Sequence, residues 1–586
     1  MDFQALKVSY PHVAGIGLLS VVLYKLTNLA RYVYQARKTG LPYTITPFLE
    51  TETISLAATP LLRAWYDSYL DKGKGWPEWC RFIIKDWQWE DKRHAHDKYG
   101  DVFLVVSPEG IICYSADAAL GWDVLNRRHE FTKPRDKYKV LEPYGPNVAT
   151  AEGATYRFHV RVTAPPFGDG TGVNDLVWSE TSQQTIAMSK IWRAYPDRDL
   201  DMDVNRLTLA VISHAGFGQT LAPLSVVEDE SGKANTEEND PIPDGYSVSF
   251  LESLHHTTAN MVPLLIFPGW MLSMSSLRRA AQAYTQLGKY LRAMIKSERL
   301  RLNGQPESAD IVTKRRANTR MSANLLTAVM RMAISEGKKS PTDRGFNDSE
   351  VLGNLFIYLL AGYETTANAI VYGLACLALH PEVQEMAIKE IDELCKEAGT
   401  DELNYTDHFD KLQYLYGFMY ETFRLYPGVI LITKVALEPQ TVTVSSTGTS
   451  HRLPAGTRVY LSSPGVQYHP KYWPEPEKFE PKRWIGQSWT YNQGERKSVA
   501  SDATRHMRGT FITFSDGSRA CLGRKFAQAE YMAFFASLLR HCRVELKPGT
   551  DAVKFKRDLD NRMSGKITLS PPYPAPIAVK PRVRSA

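Results

Sequence analysis

The sequence predicts a mainly helical chain with a small β-sheet region and an apolar N-terminal segment. Three observations predict it. Residues 351–360 are apolar nearly all round behind the helix-start signal Asn347-Asp348-Ser349-Glu350, so they read as a helix crossing the protein's centre. Residues 101–106 and 111–114 flank Ser107-Pro108-Glu109-Gly110 as a hairpin, and 441–444 and 457–461 alternate like strands of a small sheet. Residues 13–24 form an apolar run. No long linker or low-complexity tract divides the 586 residues, and 43% hydrophobic residues supply ample core. A net charge of +6 is too mild for a nucleic-acid binder. Six cysteines without a CxxC pair suit a reducing compartment, where the sequons at Asn347 and Asn404 go unused.

In chain order, the apolar run meets Lys25 and then Arg31, Arg37 and Lys38. A membrane anchor is expected, with Lys25 snorkelling and the following chain on the cytoplasmic side. A cleaved signal peptide is the competing reading, but no small-residue cleavage site is seen and a basic cluster follows; a buried core helix is the other alternative. Residues 54–70 read as an amphipathic helix, either on a membrane surface or packed on the body. The acidic, polar stretch 228–244 reads as a mobile surface loop. Residues 261–271 gather apolar side chains around two prolines and cannot form one continuous helix. His255 and His256 lack further ligands at metal-binding spacing and read as structural.

The central helix runs on into Ala361-Gly362-Tyr363-Glu364-Thr365-Thr366. An acid and an alcohol inside a buried helix are costly unless hydrogen-bonded. Gly362 weakens the helix locally, and a threonine hydroxyl can bond back to a carbonyl or to water in an opened ladder. Such a pair suits a proton relay. Further on, Glu421 and Arg424 share one helix face, which by itself is a surface ion pair of little weight.

Near the C-terminus, Phe514-Ser515-Asp516-Gly517-Ser518-Arg519-Ala520-Cys521-Leu522-Gly523 precedes a helix start at Arg524. A cysteine at a helix N-terminus beside cations is favoured as thiolate, the form that binds metal. Gly517 and Gly523 are expected to let the backbone pass close to a flat ligand.

This loop resembles the cytochrome P-450 haem loop F-x-x-G-x-R-x-C-x-G at every fixed position. A-G-Y-E-T-T resembles that family's oxygen-activation motif, and Glu421-Thr422-Phe423-Arg424 its E-x-x-R motif, in family order across about residues 85–550. The resemblance implies the cytochrome P-450 fold: one large, mainly α domain with a small β-sheet, carried on a membrane anchor. Residues 1–45 would be anchor and hinge, with Gly40-Leu41-Pro42 as the proline-containing hinge, and 46–586 the catalytic domain. Cys521 would ligate the iron of haem b (iron protoporphyrin IX), with Phe514, Gly517 and Arg519 around the cofactor. Thr365 and Glu364 would be catalytic, as the hydroxyl near oxygen and its acidic neighbour.

The stretch 152–161 resembles the helix that reaches the haem propionates, but Tyr156 replaces the usual tryptophan and Val160 stands in the basic slot. His159 and Arg161 flank that slot, and Lys434 occupies a region of basic propionate contacts. Arg483 would join the E-x-x-R pair in a structural role. The implied reaction inserts one atom of O2 into a lipophilic small molecule such as a polyketide, terpenoid or alkaloid. Electrons would come from NADPH through NADPH–cytochrome P-450 reductase, docking near Arg508, Arg524 and Lys525. By position, 261–271 matches the loop that dips into the membrane beside the substrate entrance. The texture resembles fungal secondary-metabolite enzymes of the endoplasmic reticulum membrane, with the catalytic domain facing the cytosol. A reductase-independent haem-thiolate isomerase or dehydratase, and a non-enzymatic haem sensor, are the other classes; neither needs the Gly362-Glu364-Thr365 set.

Overall fold

The computed structural model describes residues 10–69, 76–168, 170–218, 225–228, 234–237, 242–303, 325–336, 346–485, 508–564 and 568–582. The chain divides into two compact units, each assembled from three separate stretches of sequence.

The first unit comprises Met1–Pro134, Val429–Pro476 and Arg505–Arg519. It is built on β1 (Tyr43–Ile45), β2 (Val102–Ser107), β3 (Gly110–Ser115), β4 (Phe131–Thr132), β5 (Leu431–Ala436) and β8 (Arg458–Ser462), in the order β1-β2-β3-β8-β5-β4. The predicted hairpin is β2–β3, antiparallel, with Ser107 opposite Gly110. Both strands are buried on both faces, which explains their nearly continuous apolar sequence. Alternation sorts the side chains: Leu104, Val106 and Leu461 enter one core, while Phe103, Val105 and Tyr460 enter another with Trp87. The two later strands are real but do not share a sheet. Residues 458–462 join the large sheet, whereas β6 (Gln440–Thr443) pairs only with β7 (Ser450–Leu453).

The apolar N-terminal run lies in helix α1 (Tyr10–Thr39). Among the described residues no helix is long and apolar enough to cross a membrane, so the expected spanning anchor is not supported. Charge interrupts the run, and the second half of α1 packs on the protein. Ala36 is buried, Leu29, Tyr32 and Val33 lie against the sheet's core, and Lys25, expected to snorkel, pairs with Glu109 of the β2–β3 turn. The expected hinge is tied down too: Pro42 O accepts from Leu104 N at 2.9 Å, and His451 Nδ1 lies 2.8 Å from Thr39 O. Helix α2 (Thr53–Tyr69) buries Ser55, Thr59 and Tyr66 against its own unit, which decides for packing on the body, and leaves Ile54, Leu56 and Leu61 exposed.

The second unit comprises Arg135–Gly428, Glu477–Thr504 and Ala520–Ala586 and is mainly helical. The helices that position the candidate site are α3 (Gly153–Thr163), α4 (Val173–Ala194), α5 (Leu200–Val211), α6 (Asp348–Leu379), α7 (Gln413–Leu425) and α8 (Arg524–His541). The helix-start signal of α6 is a complete capping box: Asn347 Oδ1 accepts from Glu350 N at 2.8 Å, and Glu350 Oε2 accepts from Asn347 N at 3.1 Å. The helix then runs 32 residues without a break at Gly362, buried through its middle as its apolar sequence requires. Gly373 brings α8 close, because a Cβ there would sit 2.6 Å from Phe535 Cζ. On α6's flank, Thr208 Oγ1 of α5 donates to Tyr363 O at 3.1 Å.

Residues 261–271 form two short helices, Met261–Ile266 and Gly269–Ser273, interrupted at Phe267-Pro268 as the prolines demand. Of the stretch 228–244, residues 229–233 and 238–241 lie outside the described residues, and Ser225–Glu228 pairs antiparallel with Ala234–Glu237 instead of looping. The C-terminal part of the second unit also carries regular structure. It holds a helix, Ala552–Asn561, and a strand, Ile577–Pro581, paired with Cys542–Leu546.

Candidate functional site

The glycine loop is a built turn of the first unit. Gln467 Oε1 accepts from Ile512 N and Thr513 Oγ1, both at 3.1 Å, and Ser515 N donates to Ile512 O at 2.8 Å. Phe514 is buried and Arg519 half-buried. Gly517 has φ +64°, and a Cβ there would lie 2.7 Å from Leu125 O, so glycine is required on both counts. Gly523 is different. Its φ is −84° and the nearest protein atom to a Cβ there is 4.0 Å away, so neither backbone angle nor protein packing calls for glycine at that position.

Cys521 belongs to the second unit, whose last stretch begins at Ala520. All six cysteines are free; five are buried and Cys521 alone is exposed. It precedes Gly523, the cap of α8, rather than sitting in the first turn. Partial enclosure by protein raises its thiol, while the Gly523 N–H and the Arg524 charge pull the other way. The two contributions of the helix start thus act in the direction expected of them, and a coordinated metal deprotonates a thiol outright. Among the described residues no group of three or more His, Cys, Asp or Glu could hold a metal ion, so Cys521 suits an iron whose other ligands come with a cofactor.

Helix α6 supplies a second accessible surface. It is buried at 351–360 and 370–378, yet Ala361 is exposed and Gly362, Thr365 and Ala369 are half-buried. Steps of three and four residues place these small side chains on one face. Thr365 Oγ1 donates to Ala361 O at 2.8 Å, so its proton is engaged and its oxygen is left to accept. Glu364, 7% exposed, faces elsewhere: its Oε1 accepts from Thr568 Oγ1 at 2.8 Å and from Thr568 N at 3.4 Å. Asn368 Nδ2 donates to the same Thr568 hydroxyl at 2.9 Å. Neither Thr568 nor Asn368 is legible from sequence, because no local pattern joins residue 568 to residue 364.

On α3, His159 is fully buried. Its Nε2 lies 3.4 Å from Glu350 Oε1 and its Nδ1 accepts from Asn354 Nδ2 at 3.2 Å, so it braces α6 and leaves the basic slot to others. Arg161 is exposed and Tyr156 half-buried, with the Arg161 guanidinium 5.8 Å from the Phe158 ring centre. Arg157, one turn before Arg161, is exposed as well. In the first unit, Lys434 is 3% exposed within β5, opposite Val459 of β8.

The E-x-x-R pair is far from a surface contact. Glu421 Oε1 accepts from Arg424 Nη2 at 2.8 Å, Glu480 N at 3.0 Å and Arg483 Nε at 3.2 Å. Its Oε2 accepts from Arg424 Nε and Trp484 Nε1, both at 2.9 Å. The predicted third member, Arg483, is therefore present, and Trp484 and the Glu480 amide are added to it.

Residues 78–572 match the family model described as Cytochrome P-450. The chain belongs to the cytochrome P-450 family. It is 50% identical over 588 residues to Cytochrome P-450 monooxygenase prx9 of Penicillium rubens, with 99% of each chain covered. It is 49% identical, again with 99% of each chain covered, to Cytochrome P-450 monooxygenase ORF6 of Penicillium roqueforti. A solved zebra fish cytochrome P-450 with progesterone shares the fold at a TM-score of 0.61, with 18% identity, covering 84% of this chain and 98% of that one. The chain is thus an enzyme of the cytochrome P-450 monooxygenase family, with fungal relatives along its whole length, and family membership implies haem.

Proposed function

We propose that this cytochrome P-450 inserts one oxygen atom of O2 into a lipophilic small molecule of secondary metabolism, using electrons from NADPH passed through a separate reductase. The observation that carries the reading is the accessible stripe Ala361-Gly362-Thr365-Ala369 on a helix otherwise buried through its middle. Small residues admit a flat group, and Thr365 presents a hydroxyl oxygen on that face.

These residues fit haem b. Cys521 is the accessible sulfur, and Arg161 with Tyr156 are the candidates on α3 for its propionates. Motif position rather than geometry supports Phe514, Gly517, Arg519 and Lys434 as cofactor-binding. When bound, haem held by the Cys521 thiolate would supply the activation of O2. The protein supplies the rest. Arg524 and the Gly523 N–H favour the anionic sulfur. The apolar 351–360 run excludes water, Thr365 accepts and orients a hydrogen bond, and Glu364, held by Thr568 away from that stripe, is the acid that exchanges protons with water.

Exposed Leu265, Phe267, Trp270, Met271 and Met274 favour apolar substrates and a lipid surface nearby. Exposed Leu18, Leu19, Val21, Val22, Leu23 and Leu26 of α1 support attachment to the cytosolic face of the endoplasmic reticulum membrane through this segment. Residues 46–586 then form the catalytic part, and Arg508, Arg524 and Lys525 are proposed reductase contacts. The test is reconstitution with a fungal reductase and NADPH, following oxygen incorporation from labelled O2. Incorporation supports the reading. A thiolate–haem spectrum with no NADPH use and no label uptake favours the isomerase class instead.

A further inference from the structure

We propose that Thr568 is a positioning residue that holds Glu364 for proton delivery. The inference rests on the monooxygenase reading and names a residue for it that no motif contains.

Glu364 and Asn368 stand one turn apart on α6 and reach the same hydroxyl. A threonine hydroxyl has one proton to give and lone pairs to receive with. Asn368 Nδ2 donates into a lone pair at 2.9 Å, so the hydroxyl proton is directed to Glu364 Oε1 at 2.8 Å. The Thr568 N–H adds a longer bond to the same oxygen, at 3.4 Å. Oε1 is thereby fixed as an acceptor, and Oε2 is left to take a proton from water and give it up again. Glu364 returns to its starting state after each transfer.

The residues after Thr568 are anchored in the second unit. Leu569 N donates to Gly428 O at 3.0 Å, and Leu569 and Ser570 are each 1% exposed. Thr568, Glu364 and Asn368 are buried at 7%, 7% and 4% exposure, where a carboxylate without directed donors is costly. Next in sequence, Thr365 spends its proton on Ala361 O and so is set to accept a hydrogen bond. A C-terminal segment 204 residues away thus determines which oxygen of the α6 acid does the exchange.

The experiment compares wild type, Thr568→Val and Thr568→Ser as full chains with reductase and NADPH. It measures peroxide released per NADPH consumed, and the infrared carboxyl band assigned to Glu364 by difference against Glu364→Gln. Thr568→Val is expected to raise the peroxide fraction severalfold and shift the band, and Thr568→Ser to restore both. Should Thr568→Val fail to bind haem, Asn368→Leu, which removes only the donor into the hydroxyl, is expected to move both readouts the same way. Wild-type values in Thr568→Val, or no restoration by Thr568→Ser, overturn the positioning role. The band needs neither O2 nor NADPH, so it separates the two claims. A wild type that consumes no NADPH sinks the monooxygenase reading and the delivery role with it, whereas normal wild-type turnover beside a silent Thr568→Val sinks the positioning role alone.

Discussion

Glu421 and Arg424 face each other one turn apart on α7, both with fully buried side chains, joined by two hydrogen bonds of 2.9 and 2.8 Å. The carboxylate is the hub, since the Arg483 guanidinium, the Trp484 indole and the Glu480 amide all donate to it. Removing one partner of such a pair strands the other charge out of water. Glu421→Leu is therefore expected to cost about 3–5 kcal/mol, read as a lowered urea midpoint and lost haem incorporation. Arg483→Ala, at the edge of the hub, is expected to cost less, about 1.5–3 kcal/mol. Equal losses from the two variants would mean that the hub is not centred on Glu421.

Cys521→Ala is expected to abolish the thiolate–haem band of the reduced, carbon monoxide-bound protein, and all oxygenation with it. The stability of the cofactor-free chain should move by no more than about 0.5 kcal/mol, as for an exposed side chain. A surviving band would assign the ligand elsewhere.

Thr365→Ala separates chemistry from structure. Its one hydrogen bond closes back on Ala361 within the same helix, and alanine is the better helix former. Thermal stability is expected to hold while product formed per NADPH falls and peroxide rises. Unchanged coupling would remove Thr365 from the mechanism.

The two loop glycines are expected to behave differently. Gly517→Ala forces a side chain into a left-handed backbone against Leu125 O, costing about 1–3 kcal/mol. Gly523→Ala meets no protein atom nearer than 4.0 Å at an ordinary backbone angle and is expected to be near neutral for the cofactor-free chain. Thermal denaturation of both variants is the check, and a tolerant Gly517 would refute the turn geometry.

Glu50 gives the first unit a pH signature. Burial, then the negative charge of Asp86, pushes its carboxyl up to about 8 from the usual 4.5, against hydrogen bonds from Gln88 and Tyr114. The native state thus keeps a proton that the unfolded chain releases near 4.5. The contribution to stability is complete below that pH, is lost as pH rises toward about 8, and changes no further above it. Urea midpoints across that window are expected to fall in wild type and to flatten in Glu50→Gln. Parallel slopes in both would clear Glu50 of the effect.

What the sequence by itself determined was local. The spacing around Cys521, the Asn347–Glu350 box, the β2–β3 hairpin and the shared face of Glu421 and Arg424 depend on chain geometry over a few residues, and helix and strand periods carry them. The family motifs added the third member, Arg483, at a distance no period reaches. Tertiary packing decided the rest. It turned an ordinary ion pair into a five-bond buried hub. It drew His159 from the basic slot onto Glu350 and Asn354, and paired Lys25 with Glu109 where a membrane interface was expected. It also brought Thr568 to Glu364. Whether a charged side chain is buried, paired or accessible depends on which distant segments close over it, and composition along the chain does not record that closure.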